Sequence, residues 1–208
     1  MTGAPAKIFK TVAFFFTLVI LGGCLYSAPW PQPFNSPMNH RLIEKVPFFP
    51  DNTILCGPAT LAAVLTFQGR PTTVEEVVKP LLRTNLRGSL APDLVILARK
   101  MGLKARFWAA KPEEIVALID QGRPVILQID SGLAIKTGHF VVALGYGPEG
   151  LVINTDTVKQ SIMPWAEFLT RWLKFQNLAI LVESPIPTPA KESKPKPIPE
   201  ALILLDTP

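Results

Sequence analysis

Cys56 stands where VPFFPDNTILCGPATLAAVL passes from an extended, Pro-punctuated run into a helix-forming one. Three roles are open to that sulfur: filler in an apolar core, half of a disulfide, or a nucleophile. A thiol attacks only as thiolate, and the unpaired N–H groups and dipole of a helix N-terminus favour that form. Cys56-Gly57-Pro58-Ala59 predicts such a terminus, with space beside the sulfur at Gly57 and a Pro that opens the helix without wasting a donor. An adjacent imidazole would complete the activation. The chain contains two His. His40 lies in a Pro-rich stretch and reads as a solvated surface residue, whereas His139 opens GHFVVALGYG at the start of a strand that alternation would half bury.

The elements that must position these groups are legible. Pro58 near a start and Gly69 past an end bracket one helix, with Leu61, Val64, Leu65 and Phe67 as its apolar positions. Thr73 followed by Glu76 is a capping-box pattern that opens a second helix through Leu82. Pro92 to Lys100 is a third, closed by Gly102. Lys104–Ala109 reads as a strand and Pro112–Gln121 as a short helix closed by Gly122. Four strand-like runs follow: PVILQID, HFVVALGY, GLVINTD and KQSIMP. Gly147-Pro148-Glu149-Gly150 joins the middle two as a hairpin. Trp165–Phe175 has helical spacing, with Trp165, Phe168 and Trp172 as a core stripe. Leu178–Glu183 is a last strand, and Phe107 and Trp108 are expected to close an interface between lobes. Helices followed by adjacent strands predict an α+β domain, its N-terminal helical lobe packed on a C-terminal antiparallel sheet.

The chain's 208 residues, 48% of them apolar, can build one sizeable core plus extensions. A net charge of +5 from 21 basic and 16 acidic residues is too small to imply a polyanion. The chain has no Gly-rich phosphate loop, paired-Cys zinc spacing or basic-aromatic strand pattern. No nucleotide, nucleic-acid partner, metal or cofactor is therefore expected. Residues 1–24, MTGAPAKIFKTVAFFFTLVILGGC, combine a basic start, an uncharged apolar run and two Gly before a Cys, the layout of an export signal. Leu21-Gly22-Gly23-Cys24 resembles the lipobox of bacterial lipoproteins, which implies cleavage before Cys24 and a lipid anchor on it; the alternative is an uncleaved membrane helix. Either places the remainder outside the cytoplasm in the cell envelope, tethered to a bacterial membrane. A Pro-rich spacer (25–42), a folded unit (43–184) and a Pro/Lys-rich tail expected to lack order (185–208) complete the organisation. Lipidation of Cys24 would leave Cys56 without an intramolecular disulfide partner.

VPFFP, CGPATLAAVL, GHFVVALGYG and LVIN, in this order, resemble the papain-like domain of the bacteriocin-processing cysteine peptidases, family thirty-nine of that class, and their stand-alone relatives among exported lipoproteins. The resemblance spans about residues 46–183. It implies Cys56 as nucleophile, His139 as general base and then acid, and a peptide or protein substrate. It also implies a third group that orients the imidazole. If the hairpin turns about Pro148-Glu149, facing positions sum to 297, which makes Asp156 the diagonal neighbour of His139 and puts Asn154 one pleat further away. The family usually writes Asn-Asp-Pro here, against Asn154-Thr155-Asp156-Thr157. Simple alignment thus sets Thr155 where the Asp belongs, and a one-residue bulge could restore Asp156. Asp156 and Asn154 both stand as candidates. The family also places a Gln five or six residues before the Cys as an oxyanion donor. Pro50 and Asp51 occupy those places, and Asn52 is the nearest side chain that could donate instead. These departures leave open a second function, a peptide-binding module with little or no turnover.

Overall fold

The computed structural model describes residues 34–50, 54–83, 88–132 and 137–185. The chain divides into two units, Met1–Phe34 and Asn35–Pro208, and the sheet with its helices belongs to the second. The segment expected to direct export, with Cys24, the candidate Asn52 and the tail from 186 onward lie outside the described residues.

Five helices are described: α1 (Cys56–Phe67), α2 (Val74–Leu81), α3 (Ala91–Lys100), α4 (Pro112–Asp120) and α5 (Trp165–Leu173). Thr73 caps α2 as its sequence predicts: its hydroxyl accepts the Glu76 N–H, and the Glu76 carboxylate accepts the Thr73 N–H. Left-handed Gly69, Gly102 and Gly122 each follow a helix by one or two residues, where only a residue without Cβ turns at no steric cost.

The strands are β1 (Arg41–Leu42), β2 (Lys104–Ala109), β3 (Val125–Asp130), β4 (Gly138–Tyr146), β5 (Gly150–Thr155), β6 (Val158–Pro164) and β7 (Leu178–Glu183). They form one sheet in the order β2-β7-β3-β4-β5-β6, with β1 joining β4, and every pairing is antiparallel. This is the expected α+β arrangement. Consecutive residues of β3 and β4 are buried, including Val125, Ile126 and Leu127, so both faces of the central sheet are covered. The half-buried strand expected from alternation is corrected accordingly. Helix α1 lies against β3 and β4, and α5 against β3, β5 and β6. Trp165, Phe168 and Trp172 are buried on α5, the last two stacked with ring centroids 5.0 Å apart.

Two other expectations are corrected. The stretch expected as spacer supplies β1: Arg41 and Leu42 pair with Tyr146 and Gly145, along the part of β4 that β3 leaves open beyond Ala143. His40 is part of this docking, its Nε2 3.3 Å from Glu149 Oε2. Phe107 does not close an interface between lobes. It sits on edge strand β2 and is 46% exposed, while Trp108 beside it carries the Arg106 guanidinium 3.7 Å above its ring.

Candidate active site

Cys56 is the first residue of α1, and among the described residues it forms no disulfide. The N-cap residue Leu55 offers no side-chain cap and the first turn holds no acidic residue, so the helix itself does not offset the positive end of its dipole beside the sulfur. The Thr60 hydroxyl donates back to the Cys56 and Gly57 carbonyls at 2.8 and 3.0 Å, holding the first turn. Gly57 lets the helix approach its surroundings closely: a Cβ there would meet Ser89 Cβ at 2.7 Å and Phe140 Cδ2 of β4 at 3.5 Å. The start of α1 is thereby set against the strand that carries His139.

His139 is the second residue of β4, with its side chain 12% exposed. Asp130, at the end of β3, pairs with Gly138 just ahead of His139. Its carboxylate holds Lys174 Nζ, its carbonyl accepts the Arg171 Nε–H at 2.7 Å, and the lysine keeps its carboxyl below the usual range. The ring's Nε2 lies 3.0 Å from Thr155 Oγ1 and 3.2 Å from Asp156 Oδ1, and the Thr155 hydroxyl donates to Asp156 Oδ2 at 3.2 Å. A neutral imidazole that gives its Nε2–H to this pair keeps a lone pair on Nδ1, the atom available to take a proton.

The register explains which residues reached the ring. Next to the hairpin, Gly145 faces Val152 and Tyr146 faces Leu151, positions that sum to 297 as expected. Leu144 is then an extra residue in β4. Beyond it Ala143 faces Ile153 and Val142 faces Asn154, summing to 296. That one-residue slip exchanges faces, so Thr155 rather than Asp156 shares the side of His139. Asp156 returns its carboxylate to the ring only because it turns out of the strand at φ 45°. Asn154 does not contact the ring. It is buried, and its Oδ1 accepts the Gln160 N–H at 2.9 Å, a donor that a second bulge, in β6, withdraws from the ladder.

These elements line a partly open cleft. Cys56, Ala59, Thr60 and Ala63 of α1 form one wall, and Phe140 and Val142 of β4 with Asn154, Thr155 and Asp156 form another. Pro47, Phe48 and Phe49 close the third side. Thr155 was visible in the sequence only as the residue aligned with the family's Asp. The wall at 47–49 was quoted in VPFFP without a role.

No curated protein matches the chain. Among solved structures, the peptidase domain of Streptococcus ComA, a bifunctional ABC transporter involved in quorum sensing, is 25% identical with a TM-score of 0.53, covering 69% of this chain and 98% of that one. A C39-like peptidase from Bacillus anthracis (17% identical, TM-score 0.58, covering 76% and 100%) shares the fold. So does a double glycine motif protease from an AMS/PCAT transporter, in complex with its leader peptide (22%, 0.55, 73% and 99%). The family model described as Peptidase_C39 like family matches residues 43–180, most of the chain. The fold, the match and the two bulged strands around His139 thus lead to one assignment: this chain belongs to the Peptidase_C39 like family.

Proposed function

We propose that the protein is a membrane-anchored, extracytoplasmic cysteine peptidase that hydrolyses amide bonds through an acyl-thioester on Cys56. His139 Nδ1 takes the thiol proton, and Cys56 Sγ attacks the scissile carbonyl carbon. The imidazolium then returns that proton to the leaving amine. Water deprotonated by the same ring releases the acid and restores the thiol. Thr155 and Asp156 hold the ring in the tautomer this needs. The observation that carries the reading is the double contact of Nε2 with Thr155 and Asp156 at the cleft that Cys56 lines. Peptide as substrate class is supported by the leader peptide bound to the double glycine motif protease. The lipobox-like Leu21-Gly22-Gly23-Cys24 supports anchoring through Cys24 and a location in the cell envelope.

Alkylation of the protein by iodoacetamide across pH tests the pair. The expected midpoint lies well below the free-thiol value of about 8.5 and is abolished in His139→Ala. Slow, ordinary alkylation at every pH would favour the second reading, a peptide-binding module without turnover. One observation favours that module: a neutral Thr155 stands at the place of the orienting carboxylate. For the anchor, palmitate labelling is expected in the wild type and lost in Cys24→Ala; labelling that persists would overturn it.

A further inference from the structure

Asn154 is 5% exposed and lines the cleft beside Cys56. Its Oδ1 is engaged by the Gln160 N–H, and its Nδ2 has no hydrogen-bond partner among the described residues. Rotating the amide would not cure this, because it would set N–H against the Gln160 N–H and orphan the oxygen. The oxygen end points to β6. The nitrogen end therefore turns the other way, toward β4 and α1, where Val142, the cross-strand partner of Asn154, lines the same cleft. A buried donor without an acceptor loses its bonds to water and gains none in return. Phe48, Phe49, Ala63 and Phe140 make much of the cleft apolar, and no described residue accepts from Nδ2, which leaves the donor open to an acceptor that enters the cleft.

We infer that Asn154 is a substrate-binding residue whose Nδ2 donates to a backbone carbonyl oxygen of a peptide lying in the cleft across Cys56. The apolar wall keeps the donor dry, so an entering carbonyl meets little competition from water. This rests on Cys56 being the reacting sulfur, and it assigns Asn154 to the substrate instead of to His139.

The test compares two reagents on the full chain in detergent: methyl methanethiosulfonate, which has no carbonyl, and acetyl-Leu-Gly-Gly chloromethyl ketone, a peptidyl one. In Asn154→Asp, which keeps the acceptor for Gln160, and in Asn154→Ala, the peptidyl rate is expected to fall about tenfold relative to the methanethiosulfonate rate in the same protein. An unchanged ratio in both variants overturns the inference and marks the orphan as satisfied by water alone. A wild-type Cys56 slow toward both reagents at every pH sinks the peptidase reading by itself. The second arm then decides Asn154: a fluorescein-labelled peptide ending in Gly-Gly should bind Cys56→Ser about tenfold more tightly than Cys56→Ser/Asn154→Asp. Equal affinity overturns the inference.

Discussion

His139 Nε2 and Thr155 Oγ1 lie 3.0 Å apart, across two strands whose register slips by one residue between the hairpin and the site. The hydroxyl also bonds the Asp156 carboxylate, so the ring is held by a pair of acceptors. Asp156 is 56% exposed, and an ion pair so open to water contributes about 0–1 kcal/mol by itself.

Redundancy at the ring follows. Thr155→Val leaves Asp156, and Asp156→Ala leaves the hydroxyl, so each single variant is expected to lower the His139-dependent alkylation of Cys56 by no more than about tenfold. The double variant should lose more than the product of the two. Thr155→Ser should behave as wild type. Additive losses in the cycle would show that the two groups act independently.

Gly57 sets the approach of α1 to its neighbours. In Gly57→Ala the new Cβ meets Ser89 Cβ at 2.7 Å and Ser89 Oγ at 2.9 Å, so the segment before α3 must shift. A loss of about 1–3 kcal/mol in urea denaturation is expected. Gly57→Ala/Ser89→Gly should recover most of it; a double variant as unstable as the single would place the strain elsewhere.

Tyr146 predicts an alkaline limit. Burial, then its hydrogen bond to Asp120, pushes the phenol up to about 12. Between pH 10 and 12 the folded chain keeps a proton that the unfolded chain loses, so stability is fully present below pH 10 and falls as pH rises through 12, by up to about 2 kcal/mol. Tyr146→Phe should be less stable at neutral pH but flatter across that window. A parallel decline in both proteins would remove Tyr146 as the cause.

Trp172 tests the core under the site. It is fully buried, stacked on Phe168, and donates its indole N–H to the Leu178 carbonyl at 2.9 Å. Trp172→Ala is expected to lose about 3–5 kcal/mol in urea denaturation; a loss under about 1 kcal/mol would mean that α5 is not integral to the sheet's core.

Local signals carried most of the fold. The capping box at Thr73, the Gly residues after helices, the Gly147–Gly150 turn and the strands Lys104–Ala109 and Leu178–Glu183 all form where neighbouring residues dictate them. The stretch at Arg41–Leu42 gave no such signal, since it becomes a strand only where β3 leaves β4 unpaired.

The position of Cys56 at a helix start was likewise written in residue types. What Asn154, Thr155 and Asp156 each face was not. A hairpin counted from its turn assigns the faces correctly only until a residue is added, and the addition of Leu144 answers to the segment of β1, where the N–H of Ile43, the residue after the strand, donates to the Leu144 carbonyl at 2.7 Å. Strand alternation has a period of two, so a single inserted residue, placed by contacts a hundred positions away in the chain, reversed which side chain met the imidazole.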